Sequence, residues 1–230
     1  MSNFKAVVLM SGGLDSTVTA AIASKLYGPE NVVGVGFDYG QKHSVEQGRV
    51  KLVVEKLNLG SFHQIQLPNI FNGSGSSLLN ESVVPEGPYP DTTGPLNTYV
   101  PYRNGTFLSV ALSFATRFNV EAIYAGMHSE DANNWAYADC TPEFIGAMSN
   151  AIYIGTYGKV RLKTPLQLMT KAQVVGTGLA LNAPLYLSWS CYNGGVKPCK
   201  TCPTCISREE AFALNGVNEE YYNKTNGMEV

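Results

Sequence analysis

The chain has 230 residues, enough to bury a sizeable core, with charged residues at only 15% and a formal net charge of −2. That balance excludes a global field that would draw the protein to nucleic acid or to a membrane surface. The opening MSNFKAVVLMSGG lacks a leader pattern, and no apolar run approaches the roughly 20 residues needed to span a bilayer, so a cytoplasmic chain without membrane contact is expected.

The run FKAVVLM reads as a buried strand, and residues 16–27 as a helix that stops at Gly28-Pro29. NVVGVGFDYG reads as a second strand, SVEQGRVKLVVEKLN as a second helix and FHQIQL as a third strand. Strands alternating with helices through short turns imply a parallel sheet covered on both faces, the doubly wound α/β class. From Pro68 to Asn104 the pattern dissolves into GSGSS, PEGPYPDTTGP and LNTYVPYRN. A structureless stretch of that length inside a compact domain is functional or disordered, and its Tyr89, Tyr99 and Tyr102 favour an ordered lid or a dimer contact. The alternation resumes with the helix GTFLSVALSFATRFN and the strand EAIYAG. Then come a polar loop (HSEDANNWAYADC), a helix opened by Thr141-Pro142-Glu143, the strand KVRLKT and a helix in TKAQVVGTGLALN with Thr170 as N-cap. A cysteine cluster and a last helix, SREEAFALNG, close the chain.

Four of the five cysteines fall within residues 191–205, as Cys191, Cys199, Cys202 and Cys205, with the spacing C-x7-C-x2-C-x2-C. Thiolates on two-residue spacings wrap one ion without strain, and four sulfurs in tetrahedral geometry suit structural zinc. Scattered free thiols would not crowd in this way, and the flanking residues show no thioredoxin-like context for a redox pair. Spacing alone leaves an iron–sulfur cluster open; the reading adopted is zinc.

The stretch SGGLDS, residues 11–16, stands between the first strand and the first helix. A turn of this kind presents backbone N–H groups at a helix N-terminus, where anions bind. It lacks the GK[ST] ending of a P-loop. An ordinary strand-to-helix turn with a serine cap is the bland alternative.

SGG-x-DS after a first strand resembles the pattern of the PP-loop ATP pyrophosphatases, which cleave ATP between the α- and β-phosphates and place AMP on a substrate oxygen. On that resemblance Met10, Ser11, Gly12, Gly13, Leu14, Ser16 and Thr17 cradle the nucleotide, and Asp15 helps hold Mg²⁺. Further matches are FDYGQKHSVE (37–46), VPYRN (100–104), YADCTPEFI (137–145), KTPL (163–166) followed by Lys171, and SCYNGGVKPCKTCPTC (190–205) running into Arg208. Together they resemble the 7-cyano-7-deazaguanine synthases, the QueC family. The resemblance implies a Rossmann-like sheet of the adenine nucleotide α-hydrolase type over residues 1–186, with an insertion at 68–104, and a zinc-binding segment over 187–230. It implies a ligase converting 7-carboxy-7-deazaguanine, ammonia and ATP into the 7-nitrile through an adenylated carboxylate and an amide, with Zn²⁺, Mg²⁺, no direct nucleic-acid contact and a homodimer.

Transferring AMP to a carboxylate needs charge neutralisation more than a strong base. Lys163, Lys171, Arg103 and Lys42 are the cations in matched motifs, although each taken singly could be a solvated surface charge. Lys171 at a helix start opposes the macrodipole, which suits a residue retained to meet phosphate. His43 could deprotonate an incoming amine or simply be scaffold, and Arg103-Asn104 could be a packing and capping pair. Residues around 35–38, Asp38 among them, with Gln41 and Lys42, are expected to border the nucleotide at the carboxyl edge of the sheet. His128, Asp131, Trp135 and Asp139 are expected near the base. The 128–141 loop departs from the family pattern D-x-S-G-Y-P-D-C-R by being longer and by carrying Thr141 in place of arginine. An enzyme that stops at the amide, or joins the deazaguanine to another amine such as one on a protein, is therefore the alternative.

Overall fold

The computed structural model describes residues 4–40, 45–79, 83–91, 93–193, 195 and 197–227. The expected Gln41, Lys42 and His43 lie outside them, so their place in the site is left to the sequence alone.

Five strands form one parallel sheet: β1 (Ala6–Met10), β2 (Val32–Asp38), β3 (Ser61–Gln66), β4 (Ala122–Tyr124) and β5 (Arg161–Lys163), in the order β3-β2-β1-β4-β5. Helices α1 (Leu14–Tyr27), α2 (Val45–Leu57), α3 (Arg103–Phe118), α4 (Ser129–Ala132), α5 (Pro142–Gly155), α6 (Lys171–Ala180), α7 (Pro203–Leu214) and α8 (Glu219–Thr225) complete the described elements. Alternation along β1 assigns the faces. Ala6, Val8 and Met10 pack against Ala20 and Ala23 of α1 and Val50 and Val53 of α2. Val7 packs on the other face, with Leu108 and Ala111 of α3 and Ile145 and Ile152 of α5. The fold is thus doubly wound, as the strand–helix alternation predicts.

Most expected boundaries hold to within a few residues. The first helix stops at Gly28, whose φ of 82° needs no Cβ, and α6 carries a full capping box between Thr170 and Gln173. Two readings need correction. SREEAFALNG is not the last helix: it belongs to α7, which starts earlier, at Pro203, and α8 follows it. Polarity hid α8, because its turns are held by the Asn218 cap and by Arg208 reaching Glu219 at 2.6 Å rather than by an apolar stripe. The polar loop at 128–141 likewise contains the short α4 and two tight helical turns, 133–135 and 138–140.

The C-terminal helices share a core with the start of α1: Phe212 and Ala211 pack with Leu14, Val18, Val174 and Leu185. Among the described residues no helix is long and apolar enough to cross a membrane.

Candidate active site

The chain reverses its direction of winding between β1 and β4, and in open parallel sheets ligands bind at that crevice, beyond the carboxyl ends of the strands. A cavity of about 550 Å³ lies there, lined by the loop after β1, by residues 125–128 after β4, and by the segments around residues 89, 137 and 190.

Backbone geometry builds the phosphate-facing end. Gly12 turns with φ 85°, and Gly13 leads into α1 without a side-chain cap, leaving the first turn of the helix to the cavity. The hydroxyls of this stretch brace the turn. Ser16 Oγ accepts from Ser11 N–H at 3.2 Å and donates to Gly13 O at 3.1 Å, and Thr17 Oγ1 donates to Gly13 O at 2.9 Å. Met10, Ser11, Gly13, Leu14, Asp15 and Ser16 line the cavity, whereas Thr17 is wholly buried behind the turn. The end of β4 comes very close: a Cβ on Gly126 would lie 2.9 Å from the Asp15 carbonyl carbon and oxygen. Only glycine lets that strand meet the first turn of α1 at this distance.

Asp15 is held by a residue far away in sequence. Lys171 Nζ donates to both carboxylate oxygens at 2.8 Å and lies 3.1 Å from His128 Nε2. Burial pushes the Asp15 carboxyl up, but the Lys171 ammonium and His128 outweigh it and hold the group below its ordinary value. For Lys171 burial also opposes charge, and Asp15 followed by Asp131 overcomes it and raises the ammonium. Asp131 lies 3.3 Å from His128 Nε2, and Glu130 accepts the Lys171 backbone N–H at 3.0 Å. His128 lines the cavity but is 2% exposed, and its buried Nδ1 has no hydrogen-bond partner.

The opposite end is aromatic. Phe37 and Phe107 stack in parallel at 4.1 Å, Tyr39 tilts against Phe107, and Arg103 donates to the Tyr39 hydroxyl at 3.2 Å with its guanidinium over the same ring. Burial would lower the Arg103 pKa, yet Tyr39 and Asp139 raise it, so its charge is secure. Asn104 is fixed by Asp139: its backbone N–H donates to Asp139 Oδ2 at 2.8 Å and its side chain to Asp139 O and Cys140 Sγ, both at 3.3 Å. Burial pushes the Asp139 carboxyl up, against that N–H and Arg103.

The structure therefore brings together Asp15, Lys171, Arg103, Asn104, His128 and Asp131 around one cavity. Asp139 stands behind Asn104, outside the lining. Lys163 is exposed at the end of β5, where its carbonyl, rather than its side chain, accepts from Ala125 N–H. Asp38 accepts from Gly40 N–H, and Trp135 is 58% exposed; neither lines the cavity. Of the residues expected around 35–38 Phe37 lines the cavity, and Tyr89 of the expected lid does too; sequence reasoning missed Tyr39, Phe107, Tyr137, Tyr192 and Glu130. Tyr39, Tyr137 and Tyr192 lay inside quoted motifs, beside the histidine, aspartate and cysteines that drew attention.

The sulfurs of Cys191, Cys199, Cys202 and Cys205 all lie within 4.8 Å of one another. Cys199 and Cys205 sulfurs are 4.0 Å apart, near the roughly 3.8 Å edge of a tetrahedron with 2.3 Å zinc–sulfur bonds. Backbone N–H groups of Cys199 and Cys202 point at Cys191 and Cys199 sulfurs. The donor set fits a tetrahedral thiophilic metal, and Cys140 stands apart from it.

Residues 5–216 match the family model described as queuosine biosynthesis protein QueC. The chain belongs to the QueC family. It is 37% identical over 225 residues to a 7-cyano-7-deazaguanine synthase of Persephonella marina, covering 95% of this chain and 96% of that protein. It is 39% identical over 228 residues to one of Leptospira interrogans, covering 95% and 90%. Among solved structures, the U34-tRNA thiolase NcsA from Methanococcus maripaludis with its [4Fe-4S] cluster superposes with TM-score 0.50 at 13% identity. It covers all of this chain and 75% of that one, a likeness of fold. This is a family of biosynthetic enzymes, and in this QueC chain residues of SGGLDS, of VPYRN, of the 137–140 stretch and of the 190–192 stretch, with Lys171, line one cavity.

Proposed function

We propose that the protein makes 7-cyano-7-deazaguanine from 7-carboxy-7-deazaguanine, ammonia and ATP, producing AMP and pyrophosphate. The observation that carries this reading is the single cavity joining the Ser11–Ser16 turn to Arg103, in a chain similar over nearly its full length to synthases of that name.

The proposed division of labour follows the two ends. The Gly12–Ser16 backbone takes pyrophosphate, and Asp15 is the residue that would hold Mg²⁺, whose charge offsets that of the phosphates. Lys171 stays protonated beside Asp15 and neutralises charge on the departing pyrophosphate. The aromatic wall takes the flat deazapurine, and Arg103 meets its carboxylate. Ammonia displaces AMP to give the amide, and adenylation of the amide oxygen followed by loss of AMP gives the nitrile. The cysteine cluster would hold zinc, a closed site with a structural role.

One observation favours the alternative, in which product leaves as the amide or is joined to another amine. Thr141, where the family carries arginine, donates to Ala138 O at 2.8 Å and caps α5 through Phe144 N–H, so it adds no charge to the cavity. Among the described residues Arg103 is the one arginine lining it. Amide-oxygen adenylation is sensitive to small misplacements, so amide is expected to accumulate. Product mass over time, with ATP and ammonium supplied, tests both. Formation of ADP and phosphate overturns the first reading, and rapid conversion to nitrile with no amide overturns the second.

A further inference from the structure

Residues 67–102 contain no helix or strand among those described, yet they form one wall of the cavity. Phe71 and Val100 root the two ends of this stretch in the main core, and two further sets of contacts hold its middle. On one side, Val84 is buried against Trp189, Cys191, Cys202 and Cys205, and Gly87 N–H donates to Thr201 O at 2.8 Å, inside the cysteine knuckle. On the other, Gly94 N–H donates to Asn134 O at 2.8 Å, Asn134 donates to Asp91 at 3.0 Å, and Leu96 N–H donates to Ala136 O at 3.3 Å. Between the two anchors Tyr89, Pro90 and Asp91 face the cavity.

A chain of hydroxyls spans the same gap. Tyr192 is hydrogen-bonded to Tyr137 at 3.2 Å and Tyr137 to Thr98 at 2.7 Å, and Tyr89 lines the cavity alongside, interacting with Tyr192 and Tyr137. Tyr192 directly follows Cys191, so whatever fixes the Cys191 sulfur also fixes the middle of this chain. The same stretch reaches the phosphate end, because Trp189 N–H donates to Gly12 O at 2.9 Å and Trp189 Nε1–H to Cys191 O at 3.0 Å. Four sulfurs packed this closely would be tied together by a shared metal ion, and without one they take up protons and lose that tether.

We propose that Tyr89, Tyr137 and Tyr192 are positioning residues that close residues 83–91 and 93–98 over the acceptor end of the cavity, and that metal in the cysteine cluster sets this closure. The cluster then does more than staple the C-terminal helices: through Tyr192 it shapes the half of the cavity that receives a planar heterocyclic acid. The identity of that acid rests on the proposed function; the closure itself does not.

Amide hydrogen exchange on the intact protein tests the closure without substrate. Gly87, Gly94 and Leu96 are the reporters, since each donates one of the anchoring bonds. Zinc-loaded protein should protect all three. Chelator-stripped protein should exchange them about tenfold faster, while amides of β1 keep their protection. Tyr192→Phe and Tyr89→Phe, with bound zinc unchanged, should give part of the same loss. Equal protection with and without metal overturns the proposal, as does loss that extends equally into β1, or failure of the cluster to take up zinc. In turnover, Tyr89→Phe should raise KM for the acceptor about fivefold, leaving kcat and KM for ATP within about twofold. An unchanged acceptor KM in a catalytically active variant overturns the positioning role. If no deazapurine is turned over, the exchange result still stands on its own.

Discussion

At the phosphate-facing end, six consecutive residues and one distant lysine make the site; at the acceptor end, three segments separated by about fifty residues each must meet. The first end is braced by short-range bonds, as Ser11, Ser16 and Thr17 close on Gly13 within a single turn. The second depends on contacts such as Thr98 to Tyr137 and Tyr137 to Tyr192, which span 39 and 55 residues. Local bracing lets the phosphate end keep its shape when the surroundings change. The acceptor end can be retuned by altering a loop.

Substitutions at the phosphate end should therefore act on chemistry. The largest effect expected is from Asp15→Ala, which removes the carboxylate that Lys171 grips: turnover should fall by about a thousandfold or more, with the circular dichroism spectrum retained. Gly126→Ala comes next. Its Cβ would press on the Asp15 backbone, and the displacement should cost about a hundredfold in kcat. A near-normal rate in either variant would break the assignment of this end.

That much of the phosphate end was legible beforehand has a physical cause. A turn that binds anions through its own backbone must be contiguous, so SGGLDS shows it whole. The cysteine cluster was legible for the same reason, because two-residue spacings already bring its sulfurs together. The partnership of Lys171 with Asp15 was not readable from spacing, although the lysine's unfavourable place at the start of α6 marked it. At the acceptor end the aromatic wall was partly hidden. The end of β2, with Phe37, was expected at the site, but Phe107 looks like a core residue of α3, and only the fold reveals that it stacks on Phe37 and faces the cavity. Trp135 misled in the other direction: a tryptophan in a polar loop suggested a base contact, but it points outward with φ 61°.

The Asp15–Lys171 pair makes a smaller, pH-dependent prediction. Asp15 is lowered from its ordinary 3.8, so its stabilising share is present above that value and is lost as pH falls through the depressed one. Lys171 is raised from 10.5, so its share is present below that value and is lost as pH rises through the raised one. Between the two ordinary values the pair's contribution is flat. Lys171→Met should reverse the acid side: burial then raises the Asp15 carboxyl, and stability falls as pH increases toward neutrality, by about 2 kcal/mol. Thermal melts across pH read the sign directly, and a variant whose profile matches the wild type would show that the pair is not coupled. The smallest effect belongs to the acceptor-side loop. Thr141→Ala removes the α5 cap and should cost about 1 kcal/mol of stability in a denaturant titration, with turnover preserved, since the threonine does not reach the cavity.

Isotope transfer tests the proposed chemistry most directly. With both carboxylate oxygens of 7-carboxy-7-deazaguanine labelled with oxygen-18, adenylation and ammonia attack must leave one labelled oxygen in AMP, and dehydration of the amide must leave the other in a second AMP. The account predicts singly labelled AMP from each step and an unlabelled nitrile, with labelled amide accumulating between them. Unlabelled AMP, or label recovered in inorganic phosphate, would contradict it.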